Sequence, residues 1–108
     1  MKYEHILWCK EDNHDKVWGM IRIADVHIAY AASRVNTYKY VTFWGRRGKA
    51  LQTRIADALY MDAEKQRDKK LRKGYKIVSK PELDTVYPEF EQDLEQTAVW
   101  AMLCNNNN

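Results

Sequence analysis

Residues 2–9, KYEHILWC, are dominated by aromatic and branched side chains and read as a β-strand. A polar stretch, residues 11–15, then turns the chain. Over residues 16–23 the pattern has a period of two: Val17, Gly19, Ile21 and Ile23 share one face, and Trp18, Met20 and Arg22 the other. Ala24-Asp25 predicts a second turn, and residues 26–34 a third strand. After a turn at Asn36-Thr37 the alternation resumes, with Tyr38, Tyr40, Thr42 and Trp44 opposite Lys39, Val41 and Phe43. Gly45 and Gly48 bound a further turn. Residues 51–58 predict another strand, with Leu51, Thr53, Ile55 and Asp57 alternating against Gln52, Arg54, Ala56 and Ala58.

The period then lengthens. Asp62 fits a helix N-cap, residues 63–73 are nearly all good helix formers, and Gly74 fits the stop. Residues 75–78 predict a short strand. Residues 81–88 read as irregular, with Pro81 at a boundary and Pro88 suited to a first helical turn. Phe90, Leu94, Thr97, Ala98, Ala101 and Met102 recur near a spacing of 3.6, which predicts one amphipathic helix over residues 89–104. The expected fold is α+β: an antiparallel meander of about five to six strands with one basic helix packed on it, in two layers, plus a C-terminal acidic amphipathic helix. Residues 1–80, with a helix over 62–73, form the expected sheet domain. Residues 81–108 form an acidic extension ending in a disordered Asn tail. The extension is expected to dock on the open face of the sheet; an acidic cover over a basic face, or a dimer helix, are the alternatives.

Length and composition bound this picture without altering it. A chain of 108 residues fits one domain and buries about 65% of its unfolded surface. With 45% apolar and 31% charged residues it is globular rather than disordered. No apolar run approaches the roughly 18 residues of a membrane-spanning helix. The first residues, Met1 to His5, lack the apolar core of a signal peptide. Cys9 and Cys104 are too few for a disulfide framework, so free thiols and a cytoplasmic location are expected, nucleoid-associated or in a host cytoplasm if phage-encoded.

The charge distribution does alter it. Residues 1–37 are neutral, with five basic and five acidic side chains. Residues 38–80 hold 13 basic and four acidic side chains, net +9, and residues 81–108 hold six acidic and no basic ones, net −6. A basic middle suggests an anionic partner. At its centre stands Trp44-Gly45-Arg46-Arg47-Gly48-Lys49, three cations around one aromatic plane on a glycine-bounded turn. Arginine offers a planar fork to phosphate and tryptophan a stacking face to a sugar or base. A charged hairpin turn with Trp44 in the core is the plainer alternative. The run Lys65, Arg67, Lys69, Lys70, Arg72, Lys73 reads for the most part as the solvated outer face of a helix, although it could extend a phosphate-tracking surface.

The turn and its surroundings resemble the WGR domain, known from DNA-dependent poly(ADP-ribose) polymerases and from small bacterial and phage proteins. The resemblance covers roughly residues 15–78. It rests on Lys16-Val17-Trp18, on the run from Tyr40 to Gly48, on Gln52-Thr53, on Asp62-Ala63-Glu64 and on the run from Lys70 to Tyr75. Leu51 stands where many such turns carry a second glycine, and residues 81–104 have no counterpart. The resemblance implies a tryptophan, Trp44, against the sugar of a terminal nucleotide and Arg46 on the backbone. Arg47 and Lys49 would add charge. With Arg54, Lys69, Lys70 and Lys73 these make the expected DNA-binding set. No transferase domain accompanies the segment, so polymerase activity is not implied.

Other chemistry is weakly represented. His5, Cys9 and His14 match no common zinc spacing, and His27 falls in a strand. Phosphate-loop, nucleophile-elbow and zinc-protease motifs are missing from the sequence, and Ser33 and Ser79 have no evident partners. The expectation is a small DNA-binding module without catalytic residues, metal or cofactor, recognising structure or ends rather than sequence. The alternative is a protein-interaction module, such as a phage-encoded inhibitor or adaptor of a host protein.

Overall fold

The computed structural model describes residues 2–11, 14–30 and 33–105. Four long strands form an antiparallel meander: β1 (Lys2–Glu11), β2 (His14–Tyr30), β3 (Ser33–Arg46) and β4 (Gln52–Leu59). Helix α1 (Tyr60–Arg72) follows β4 directly. A two-residue strand, β5 (Lys76–Ile77), pairs with the outer edge of β1, giving the sheet order β4-β3-β2-β1-β5. Three short helices complete the chain: α2 (Lys80–Val86), α3 (Phe90–Glu95) and α4 (Ala98–Asn105). The fold is the expected α+β arrangement of an antiparallel sheet with helices.

Several local expectations change. Ala24-Asp25 does not turn the chain. A register shift between Arg22 and Ala24 absorbs Ile23 as a β-bulge, and the strand runs on to Tyr30. Asn36-Thr37 likewise lies inside β3, so the segments read as separate strands join into one long hairpin. Asp62 is not the N-cap of α1. The strand runs straight into the helix at Leu59, which leaves Asp62 in the first turn, where the helix dipole favours an anion. The stop falls where the sequence placed it: Gly74 takes φ +98°, and Gly74 and Tyr75 donate back to the carbonyls of Leu71 and Lys70.

The region read as irregular is helical. Ser79 caps α2 by accepting from the Glu82 amide at 3.2 Å, its hydroxyl donating in turn to the Glu82 carboxylate at 3.1 Å, and Pro81 stands in the first turn. The single helix expected over residues 89–104 is broken at Gln96-Thr97, where the Thr97 hydroxyl donates to the Leu94 carbonyl at 2.7 Å. The tail beyond Asn105 lies outside the described residues.

The C-terminal segment docks on the open face of the sheet, as expected, and adds a third layer to the sheet and α1. On one face of the sheet, Ile6, Val17, Ile21, Val41 and Phe43 pack against Leu83, Tyr87, Phe90 and Leu94 of the C-terminal segment. The Phe43 and Phe90 rings lie 5.0 Å apart, with Tyr3 and Tyr87 tilted against them. Gly19 makes room for this stack, since a Cβ there would sit 2.2 Å from the Phe43 ring and 2.5 Å from the His5 carbonyl. On the other face, Leu7, Trp18, Met20 and Tyr40 lie beneath α1.

Candidate functional site

Alternation along β2 and β3 puts Trp18, Met20, Tyr40 and Trp44 on the α1 side of the sheet, and cross-strand pairing sets Trp18 beside Trp44. On β4, Arg54 falls opposite Thr42 on that same side. Helix α1 covers this aromatic floor incompletely. Its one buried residue is Ala63, in its first half. Further along, Gln66, Lys69, Lys70 and Lys73, spaced three, four and seven apart, border the gap where an apolar stripe would ordinarily stand. Lysine stems reach across apolar surface but keep their charged ends wet, so helix and sheet do not close on each other. A cleft of about 460 Å³ remains between them.

Trp18 is buried in the floor at 4% exposure, and Trp44 is half-buried at its edge. The Lys70 ammonium lies 5.9 Å from the Trp18 ring centre and 5.4 Å from that of Tyr75, within reach of both π-faces. Burial holds the Lys70 pKa below the ordinary lysine value, and the charges of Lys73 and Lys16 push it the same way. Lys16 pairs in register with Arg46, one step beyond the two tryptophans, so two more cations flank the cleft. Among the described residues, none of Lys16, Arg46, Arg54, Lys69, Lys70 and Lys73 has a carboxylate within ion-pairing distance. The carboxylate in the lining, Asp57, stands 3.7 Å from Lys39.

At the end of the floor away from the turn, Glu4 binds the Arg22 guanidinium at 2.6 Å, and Arg22 lies flat over Tyr38 at 3.9 Å. Burial, with the Glu4 charge adding to it, raises the Tyr40 pKa, so this hydroxyl stays protonated.

Of the residues singled out in the sequence, Trp44, Arg54, Lys69, Lys70 and Lys73 line this one cleft. Arg46 is exposed on the same side of β3. Arg47 is turned away, its guanidinium 3.6 Å from Asp15 and donating to the Val86 carbonyl. Lys49 borders a different hollow, with Gly48, Tyr87, Glu89 and Asp93. Lys69 and Lys73 are exposed, as expected of a solvated helix face, and Lys70 is half-buried in the cleft. Lys16, Trp18 and Gln66 were not anticipated as site residues. The even numbers of Lys16 and Trp18, shared with Arg46 and Trp44, were the available signal.

Among the described residues, no three His, Cys, Asp or Glu side chains converge as a metal site, and no helix is long and apolar enough to cross a membrane. His5 and Cys9 are buried, and the side chains of His14 and His27 lie outside the described residues. No protein-family model, curated protein or solved structure matches the chain.

Proposed function

We propose that this protein is a nucleic-acid-binding module, a binder rather than an enzyme, holding the phosphate backbone of DNA without regard to sequence. One observation carries the reading: Lys70 of α1 lies half-buried over Trp18 and Tyr75, while Lys69, Lys73 and Arg54 stand exposed around the same open cleft. A helix that merely completed a core would present apolar residues there, and a merely solvated lysine would face outward. Cations without carboxylate partners over an aromatic floor match a ligand with anionic groups joined to flat apolar ones. This reading shares with the WGR resemblance a role for Trp44 and Arg46, and draws its remaining charge from α1 rather than from Arg47 and Lys49. It suits a cytoplasmic or nucleoid location.

The test is a titration with blunt, nicked and single-stranded DNA at two salt concentrations. Binding should weaken steeply with salt, with a log–log slope of about 0.7–0.9 for each phosphate engaged. Absence of binding to all three forms at low salt would remove this reading.

A second reading, a protein partner, is favoured by a separate observation. Beyond the pair Val26 and Thr37, β2 and β3 pair with each other and, among the described residues, with no other strand, because β1 begins at Lys2 beside Arg22 and β4 ends at Leu59 beside Thr37. Such a two-stranded ribbon has two open edges, a template for strand addition by another protein.

A further inference from the structure

Resting on the reading of the cleft as a nucleic-acid site, we infer that its ligand is an unstacked single strand, with one base inserted between α1 and the sheet. The argument is one of shape and of where the charges lie. The cleft is walled on two sides, by the Gln66-to-Lys73 stripe of α1 and by the strands that carry Trp44 and Arg54. Its volume, about 460 Å³, lies toward the small end of the range of roughly 300–1,000 Å³ typical of small-molecule pockets. That space takes a group of nucleotide size and does not admit a double helix.

Within a duplex the base faces are covered by their neighbours, and a protein meets only base edges and backbone. Trp18 and Trp44, at the bottom and edge of a narrow slot, are therefore out of reach of a continuous duplex. A single strand can turn one base inward. The base then stacks on Trp44, the half-buried ring at the cleft's edge, and the flanking phosphates stay at the rim, where Lys69, Lys73 and Arg54 are exposed. Gln66, the one amide in the lysine stripe, can donate to or accept from the edge of that base. Stacking tolerates any base, so the expected preference is for strandedness rather than sequence.

The experiment uses the full chain and two probes of equal length: a single-stranded oligonucleotide with a central 2-aminopurine, and the same strand in a blunt duplex. Affinity is read by anisotropy of an end label, and insertion by 2-aminopurine emission. The single strand should bind at least tenfold more tightly, and its emission should change on binding. Trp44→Ala should lower single-strand affinity about tenfold or more with much less effect on the duplex, and Trp44→Phe should restore most of the loss. Equal affinity for the two probes without an emission change overturns base insertion and leaves the nucleic-acid reading standing. Binding to neither probe at low salt overturns both.

Discussion

On one face of the sheet, Ile21, Val41 and Phe43 meet Leu83, Phe90 and Leu94, every one of them 2% exposed or less. On the other, Trp18, Met20 and Tyr40 meet a helix whose sole buried residue is Ala63. The strands alternate with the same period on both sides, so the difference comes from what covers them. The C-terminal helices bring apolar side chains to the sheet and close it. Helix α1 brings Gln66 and three lysines and leaves it open. On the proposed reading the closed side serves stability and the cleft side serves the ligand, so the two sides should respond differently to substitution.

The largest effect is expected on the closed face. Phe90 is fully buried against Phe43, Tyr3 and Tyr87. Phe90→Ala should cost about 3–5 kcal/mol, a large part of a total stability of order 5–15 kcal/mol. In thermal unfolding this corresponds to a fall of more than about 10 °C. Lys69→Ala, on the open side, should stay within about 0.5 kcal/mol. Comparable losses for the two substitutions would erase the distinction between the faces.

Next in size is Trp44→Ala, where the open face should lose affinity more than stability. Stacking on an aromatic contributes about 1–3 kcal/mol per base. Because Trp44 is half-buried at the edge of its cluster, its removal should destabilise the fold less than Phe90→Ala does. Urea unfolding and DNA titration of the same variant separate the two quantities. If Trp44→Ala unfolds the protein, Trp44 belongs to the core.

How much of this was legible in the sequence follows from the same contrast. The alternation of Val17, Gly19 and Ile21 against Trp18 and Met20 assigned the strand faces, and Gly74 marked the end of α1. The docking of residues 81–104 was expected, but Leu83 and Tyr87, which make much of it, fall in the stretch read as irregular. The bulge at Ile23 was not legible, because Ala24-Asp25 suits a turn and a kinked strand equally, and the pairing partner decides between them. Nor was the break at Thr97, where one hydroxyl bonding back to Leu94 ends a helix whose apolar period runs on. The place of Lys70 was hidden for a different reason. The rule that polar stripes face water holds for the exposed Lys69 and Lys73, but Lys70 is half-buried, over Trp18 and Tyr75.

A smaller effect separates the two arginines of the turn. Arg46 stands on the open side with no ion-pair partner among the described residues, whereas Arg47 joins Asp15 to the Val86 carbonyl, between β2 and the end of α2. Arg46→Ala should leave unfolding unchanged and reduce the salt slope of DNA binding by about 0.7–0.9. Arg47→Ala should leave the slope unchanged and cost about 0–1 kcal/mol of stability, small because both partners are substantially exposed. Parallel salt titrations of the two variants test this. The reverse pattern would place the ligand on the Arg47 side of the turn.

The smallest expected effect is a pH dependence on the open side. His5 is buried beneath the N-terminal half of α1, and burial, reinforced by the charge of Arg67, lowers its pKa below the ordinary 6.5. Glu4, Glu64 and Asp68 act in the opposite direction without overcoming this. The unfolded chain therefore binds a proton at His5 more readily than the folded one, and stability rises with pH wherever that is so. The contribution is complete above the unfolded value near 6.5 and is lost as pH falls from there through the lower folded value. Urea unfolding at pH 7.5, 6.5 and 5.5 should show a shallow decline for the native sequence and a flatter one for His5→Gln. If His5→Gln keeps the full decline, the titrating group lies elsewhere, and the open face contributes to binding without contributing to the pH dependence of folding.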